Sequence, residues 1–550
     1  MKFLILILLM EGQAFASLPT PFDAVQAAAE DAAALVEQGY DTTGIRYLWV
    51  PSASAEYAAL ASFTCNSVVS RSDINHPPFK ARSPLQKLHE GCLLRVDLVT
   101  FAPRENDFTE ITAAWEKIDN PCFLLGNQIL GETKLIDGKP HRIQTVEPFE
   151  QDGKTYNKRW VPIDETVAPR IFGPHVDAVQ ASSLIELTQS SNPIVWVISF
   201  LEAALTQVDD GLYYEFVGIK ESTDPDVSDQ ELLLKSLGVS EELITDLRAE
   251  QRVGMVTSGV TGKTRRIDLF TAPSRAAVCQ GLIVITQDIF DESANETASD
   301  VFLNLLDFKI DGTEGIFERK NGHLAYWLAD GTGNLVDEAP PNLVSDHEIP
   351  APYTRRLQPA ISCIRCHGKK GDDGWKPFTN DVRKLIDQFD VLADASGGDL
   401  LETLARLAEL YAGSLDKPMR RAREDQSDAI VVSVGDIANA DGLQWQYEDV
   451  ATALKQVWLD HFFSPVTTER ALLELGYEPT DNPQLRFNEL LGTLSDFTED
   501  VRIALLKTGT PINRNQWEAV YIDASLRARE NNLSHGTEDQ RASSPTPEVE

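Results

Sequence analysis

The sequence predicts an α+β, multidomain fold in which mixed α/β regions precede a long run of helices. The chain has 550 residues, several times the ~150 residues of an ordinary domain. Strand-like and helix-like hydrophobic patterns alternate as far as about residue 350, and from Leu357 onward the apolar residues recur with the 3.6-residue period of helices. An apolar content of 42% is sufficient for several cores and too high for a mostly disordered chain.

Residues 17–150 are predicted to form an α/β domain. An alanine-rich helix opens it, and two short β-branched or aromatic runs read as strands. The predicted elements are helix 27–38, strand 46–50, a helix through 57–63, strand 93–99 and helix 108–118 with Trp115 on its apolar face. The polar, turn-rich segment 138–159 is the predicted boundary with the next domain.

Residues 151–350 are predicted to form a second, mixed α/β domain with helices first and strands later. The pattern predicts two helices within 182–207, a strand at 212–217, two short helices within 228–250 and a strand at 282–286. Residues 318–336 read as a hairpin, with Asn321-Gly322 and the segment 330–334 as turn signals.

The last third of the chain is predicted to be helical. Residues 351–430 and the extension 431–529 contain the predicted helices 381–392, 399–411, 417–430, 447–462 and 467–475. The polar, proline-containing tail 530–550 is expected to be disordered.

The first 16 residues resemble a secretory signal peptide. Lys2 precedes the apolar run 3–10, and Ala14-Phe15-Ala16 has the small-residue spacing of a cleavage site before Ser17. The sequence therefore predicts a periplasmic or secreted protein. No apolar run approaches the ~18 residues of a membrane span, so no transmembrane anchor is expected.

The charge balance excludes one class of partner. The formal net charge is −36 at pH 7. A chain this acidic gains nothing from counterion release at a phosphate backbone, so nucleic acid is not an expected partner.

Cys363-Ile364-Arg365-Cys366-His367 has the pattern of a c-type haem attachment site. Two intervening residues allow both sulfurs to reach the two vinyl groups on one edge of the porphyrin. His367 then supplies an imidazole nitrogen to the iron as proximal ligand. The motif occurs once, so one covalently bound haem c is expected.

Three other interpretations of the cysteine pair are weaker. A thioredoxin-like redox pair would follow a strand in a βαβ unit, which the flanking residues do not resemble. A zinc site would need further ligands, and no second cysteine pair is present. The tight loop disfavours a disulfide between Cys363 and Cys366.

The motif identifies the chain as similar to c-type cytochromes. More broadly, it resembles the large secreted mono-haem proteins of planctomycete-type bacteria. That wider resemblance lies in residues 94–98 with Trp115-Glu116, the hairpin 321–337, residues 361–367, Leu410-Tyr411 and residues 516–521. It implies a helical, cytochrome c-like haem domain at 351–430 and carries no known reaction.

The sixth iron ligand is open at this stage. In small c-type cytochromes a methionine follows the motif by several tens of residues, which makes Met419 the leading candidate. His347, His323 and His461 are alternatives, as is an iron open to water. Methionine favours electron transfer, whereas an open position permits small-ligand chemistry.

The other four cysteines, Cys65, Cys92, Cys122 and Cys279, have room for up to two disulfides in an oxidising compartment. Four cysteines allow three connectivities, and the spacing selects none of them.

A basic stretch surrounds the motif in this acidic chain. Residues 351–376 have a net charge of +4, whereas residues 208–250 have −9. Arg355, Arg356 or Lys369 would neutralise the haem propionates, or would ring the haem edge and dock an acidic redox partner, with binding that weakens in salt.

The leading hypothesis is therefore an exported electron-transfer cytochrome. A peroxidase-like haem enzyme with an open distal iron site is the second, although it lacks the further haem motif of di-haem peroxidases. A scaffold or binding protein with a structural haem is the third.

Overall fold

The computed structural model describes residues 21–50, 54–72, 85–120, 133–136, 139–151, 154–162, 178–208, 211–245, 251–255, 265–272, 279–288, 310–339, 349 and 356–367. Beyond residue 420 it describes 421–422, 429, 433–434, 443, 445–459, 464–475, 477, 482–492, 500–514, 516–517, 519–521, 524 and 527–528. These residues form a mixed α/β protein. None of the helices among them is long and apolar enough to cross a lipid bilayer.

The first sheet has four strands in the order β2-β3-β1-β7. Its central strand β1 (Ile45–Trp49) pairs antiparallel with β3 (Leu93–Asp97) and parallel with β7 (Ile194–Trp196), and β2 (Leu85–Leu88) extends β3. All five residues of β1 are buried, so both faces of the sheet are covered. The β1–β7 pairing joins strands from both sides of residue 150.

Helices cover this sheet. The predicted helix around Trp115 is confirmed: Trp115 is buried, and its indole N–H donates to the Asn192 carbonyl over 2.9 Å. α2 continues into a π-helical turn at Cys65–Val69. The helices of this region are α1 (Pro21–Glu37), α2 (Ala55–Thr64), α3 (Leu98–Phe101), α4 (Glu105–Glu116), α5 (Ala178–Thr188), α6 (Val197–Leu205) and α7 (Tyr213–Val217).

A second, three-stranded sheet lies where the sequence predicted turns. β4 (Thr133–Ile136), β5 (Lys139–Gln151) and β6 (Lys154–Pro162) form an antiparallel meander. The segment 138–159, predicted to be rich in turns, is mostly strand, and its turn formers belong to two Asp-Gly pairs that stand between the strands. Asp-Gly is a hairpin signal.

The third sheet is an antiparallel meander of five strands in the order β12-β11-β10-β9-β8. It consists of β8 (Gln251–Met255), β9 (Arg265–Ala272), β10 (Cys279–Asp288), β11 (Gly312–Arg319) and β12 (Leu324–Asp330), preceded by α8 (Asp229–Ser236) and α9 (Glu241–Thr245). The predicted strand 323–328 is confirmed as β12. Its main hairpin partner is the preceding strand β11, joined through Asn321-Gly322, where Gly322 has a φ of 80°. After the predicted turn at 330–334, the described part of the chain pairs with β12 only at the bridge between Ala329 and Leu335.

The predicted strand at 212–217 is instead the helix α7. Tyr213 and Tyr214 both direct their hydroxyls to the edge of β12, where they accept from the backbone N–H groups of Tyr326 and Leu328. Adjacent residues of a strand would point to opposite faces and could not do this. Gly218 ends the helix in the left-handed region, with a φ of 82°.

The remaining helices are α10 (Ile361–His367), α11 (Tyr447–Trp458), α12 (Thr468–Glu474), α13 (Pro483–Leu491) and α14 (Val501–Lys507). α11 packs against both α10 and α2, so it links the motif region to the first sheet. The helix predicted at 447–462 is confirmed over Tyr447–Trp458, and residues 460–462 lie outside the described residues. The helix predicted at 467–475 is confirmed over Thr468–Glu474. Residues 1–20, the predicted helices at 381–392 and 399–411, nearly all of 417–430, and the tail lie outside the described residues.

Candidate functional site

The motif lies on α10, one short helix. Pro359 and Ala360 precede it, and Ala360 has a φ of 62°, an unusual backbone conformation for a residue with a side chain. The Ala360 carbonyl accepts the Ile364 N–H over 2.7 Å, which closes the first turn. Residues three and four apart share a face of a helix, so Cys363, Cys366 and His367 lie on one face.

That face meets the third sheet at Glu314 of β11. The Glu314 Oε1 atom lies 3.3 Å from His367 Nε2 and 4.0 Å from Cys363 Sγ. Tyr326 of β12 stacks on the His367 ring, with 6.0 Å between ring centroids and 23° between planes. One buried carboxylate oxygen is therefore within reach of both the imidazole and a motif thiol.

Glu314 is itself supported by a charged pair from the neighbouring strands. Arg265 of β9 donates twice to Asp288 of β10, over 2.9 and 2.8 Å, and its guanidinium reaches Glu314 at 3.7 Å. Burial would raise the pKa of Glu314, but the hydrogen bond from His367 and the charge of Arg265 outweigh it and hold the pKa below its usual value. Glu314 is therefore an ionised acceptor for the motif.

The other side of α10 is held by α11. The hydroxyl of Tyr447 donates to the carbonyls of Ile364 and Arg365. These carbonyls belong to the last turn of α10 as the structure describes it. The buried Arg365 side chain donates from Nε to the Ile361 carbonyl over 3.0 Å. The motif helix is thus fixed between a sheet and a helix.

Hydrogen bonds between α7 and the outer edge of β12 hold Tyr326 in place. β12 is the outer strand of the third sheet, and an edge strand has backbone N–H groups that need acceptors. The Tyr213 hydroxyl accepts from the Tyr326 N–H over 2.9 Å, and the Tyr214 hydroxyl donates to the Val336 carbonyl over 2.9 Å. Burial raises the pKa of both tyrosines, so both stay neutral.

Comparisons with known proteins give no relative for this arrangement. No family model matches the chain. No curated protein and no solved structure matches it either.

Cys363, Cys366 and His367 are the residue types that attach a haem c, and in this structure the helix face that carries them packs against Glu314 and Tyr326. Cys363 is buried and Cys366 is half-buried, and both are thiols. Attachment consumes two thiols three residues apart and an adjacent imidazole, and α10 presents these on one face. Within the described residues, no group of three or more His, Cys, Asp or Glu side chains is arranged to hold a bare metal ion.

The other predicted site residues are less informative. Met419, Arg355, His347 and His461 lie outside the described residues. Arg356 is described: its Nε lies 3.2 Å from Glu338 Oε2, and 41% of its side chain is exposed. Arg356 therefore forms an ion pair at the surface, five residues before α10 begins.

Cys65 and Cys92 are buried thiols in the core. Burial raises the pKa of Cys65 well above its usual value, which makes this thiol unreactive. The structure shows no disulfide between Cys65 and Cys92. The side chains of Cys122 and Cys279 lie outside the described residues.

His323, one alternative iron ligand, lies in the core instead. Its Nε2 is 2.6 Å from the Ser433 hydroxyl, and its ring meets Phe63 edge-to-face. Burial, assisted by the charge of Arg319, lowers the pKa of His323 to about 3. A neutral imidazole with these neighbours is a packing residue.

The burial of His323 predicts a pH dependence of stability. Between pH 3 and 6.5 the unfolded chain binds a proton that the folded chain excludes, so the free energy of unfolding rises with pH by up to about 1.4 kcal/mol per unit. We expect His323→Gln to reduce this slope between pH 5 and 6 in urea titrations. His89→Gln, at an exposed histidine, is the control; equal slopes in His323→Gln and the unmodified protein would contradict the prediction.

Sequence reasoning missed Glu314, Tyr326 and Tyr447. Each reaches the motif from a different strand or helix, at least 41 residues away along the chain. A single acid among 85 acidic residues has no local signal. The hairpin 318–336 was the nearest available pointer, because β12 places Tyr326 at the motif.

Proposed function

We propose that the protein is an exported mono-haem c-type cytochrome that transfers single electrons. Cys363 and Cys366 would attach the haem, and His367 would bind its iron. When bound, the haem supplies a one-electron couple. The observation that carries the proposal is the presence of two thiols and an imidazole with haem-attachment spacing on one face of α10.

Under this proposal residues 351–430 form a helical, cytochrome c-like domain, and 431–529 extend it. Met419 is the proposed sixth ligand, and a thioether there would raise the potential. Arg355 and Arg356 belong to the basic stretch that would balance the propionates or contact an acidic redox partner. The signal-like residues 1–16 support export, which c-type attachment requires.

A peroxidase-like haem enzyme is the second candidate. The iron of such an enzyme would be high-spin and open to ligands, whereas methionine ligation gives a low-spin iron.

The attachment is tested by removing both sulfurs. We expect the double variant Cys363→Ala/Cys366→Ala to lose all covalent haem after co-expression with a haem-attachment system and export. Covalent haem is measured by haem staining of denaturing gels and by the intact mass of the mature chain. Cys65→Ala, which removes a buried cysteine elsewhere, should retain it. Covalent haem in the double variant, or none in the unmodified protein, would refute the proposal.

The absorption spectrum separates the two candidates. A low-spin spectrum with a sulfur-to-iron charge-transfer band that disappears in Met419→Ala supports electron transfer. A high-spin ferric spectrum that changes on addition of cyanide supports the enzyme.

A further inference from the structure

A cavity of about 130 Å³ lies between α8, α9 and the strands β9 and β10. Five of its ten lining residues are apolar, and these are Leu234, Leu243, Ile244, Phe270 and Ile285. A cavity of roughly 150 Å³ is large enough for benzene. This cavity therefore has room for a molecule of about five or six non-hydrogen atoms.

The cavity and the motif lie on opposite faces of the third sheet. Asp288 of β10 is on the face that meets α10, where it pairs with Arg265 beside Glu314. Successive residues of a strand point to opposite faces. Gln287, which directly precedes Asp288, therefore points to the other face, and it lines the cavity there. The cavity is thus separate from the candidate haem site.

Two glutamine side chains line this cavity. Gln287 is 3% exposed, and its amide oxygen has no hydrogen-bond partner within the part of the chain that the structure describes. Gln230, in the first turn of α8, also has a buried amide oxygen without a partner among the described residues. A buried polar group that lacks a partner is costly. A ligand that supplies the partner therefore gains free energy from the contact.

The two acids in the cavity lining already have cationic partners. The Asp268 carboxylate lies 3.2 Å from Arg266, and the Glu231 carboxylate lies 2.9 Å from Lys235. A cationic ligand would have to compete with these bases, and an anionic ligand would be repelled by the two carboxylates. The charges around the cavity therefore favour a neutral ligand.

We propose that this cavity binds a small neutral molecule with one hydroxyl group on a short apolar body, of which an alcohol of about five carbons is the simplest case. The hydroxyl pairs with the amide of Gln287, since an amide both accepts and donates hydrogen bonds. Gln230 offers a second amide. The apolar body packs against Phe270, Ile285 and Leu243. This small-molecule site is independent of the proposed electron transfer.

The test is a titration of the purified full-length protein with n-pentanol, followed by saturation-transfer difference NMR. We expect saturable binding, and we expect Gln287→Leu to weaken it about fivefold or more, because the hydroxyl loses its partner. Pentylammonium and pentanoate, which have the same apolar length and carry a charge, should bind more weakly than pentanol. Absence of saturable pentanol binding, or tighter binding of either charged analogue, would overturn the proposal.

Gln358→Leu is the matched control. Gln358 is 7% exposed and also has a buried amide oxygen without a partner among the described residues, but it does not line the cavity. Its replacement should leave pentanol binding unchanged, and an equal loss in this variant would contradict a role for the cavity.

Leu243→Phe gives an independent measurement if Gln287→Leu does not fold. The larger ring fills the cavity from α9, so pentanol binding should be lost. Unchanged binding in a folded Gln287→Leu or Leu243→Phe protein would show that pentanol binds elsewhere and that the proposal is wrong.

Discussion

Replacing Glu474 with alanine is expected to lower the free energy of unfolding by about 3–5 kcal/mol, the usual result of removing one partner from a buried ionic network. The Glu474 side chain is 3% exposed. It accepts hydrogen bonds from Arg514, over 2.7 and 2.9 Å, and from Arg470, over 2.8 Å. The indole N–H of Trp517 donates to it over 2.8 Å. The variant removes this acceptor from the buried side chains of Arg514 and Trp517.

The measurement is urea unfolding followed by tryptophan fluorescence, since Trp517 lies within the cluster. Glu469→Ala is the matched control, because Glu469 is an exposed acid on the same helix α12. It should change stability by less than about 0.5 kcal/mol. A loss below about 1 kcal/mol in Glu474→Ala would show that the cluster does not stabilise the C-terminal helices.

The Glu474 cluster also includes two residues of the stretch 516–521. The Tyr521 hydroxyl donates to the Glu474 carbonyl over 2.9 Å, and the Trp517 indole donates to the Glu474 carboxylate over 2.8 Å. Trp517 and Tyr521 therefore help to hold the C-terminal helices together.

Much of the secondary structure could be predicted because burial leaves a periodic pattern. The predicted and observed ranges of β1 and α4 agree to within three residues at each end, whereas α1 begins six residues before its predicted start. Each of these elements buries one side or all of its residues. The hairpin of β11 and β12 could be predicted from Asn321-Gly322 because an L-residue rarely adopts the φ of 80° that Gly322 has. Such signals are local, so the sequence contains them.

The secondary-structure predictions were wrong where tertiary contacts determine the local conformation. Tyr213 and Tyr214 have strand-like composition, yet a helix is required for both hydroxyls to reach the edge of β12. The pairing of β1 with β7 joins segments about 147 residues apart. No local pattern encodes either arrangement.

The residues of the candidate site fall into the same two groups, those that a local pattern identifies and those that only the fold brings together. Cys363, Cys366 and His367 could be identified because their chemistry depends on spacing along the chain. Glu314 could not, because its role depends on the sheet register that brings it to His367. The sequence identifies the motif residues, whereas the fold places a carboxylate beside them.

Substitution of Gly315 by alanine is expected to lower the free energy of unfolding by about 2–3 kcal/mol, as overpacking of a filled core does. Gly315 is paired with Trp327 across the β11–β12 hairpin. An added Cβ would lie 1.9 Å from the Trp327 Cε2 atom and 2.0 Å from Cζ2. Trp327 is completely buried, so its ring cannot turn aside without displacing other core residues.

A double-mutant cycle measures whether the ring is the cause. Gly315→Ala/Trp327→Leu should be more stable than the sum of the two single changes predicts, by at least about 1 kcal/mol in urea unfolding. Gly39→Ala is the contrast, because a Cβ there meets no atom within 4 Å and the only cost is its φ of 82°. Additive effects in the cycle would show that Trp327 does not constrain Gly315. Glu314 directly precedes Gly315, and Tyr326 directly precedes Trp327. The close packing of Gly315 against Trp327 therefore also sets the spacing of the two strands that contact His367.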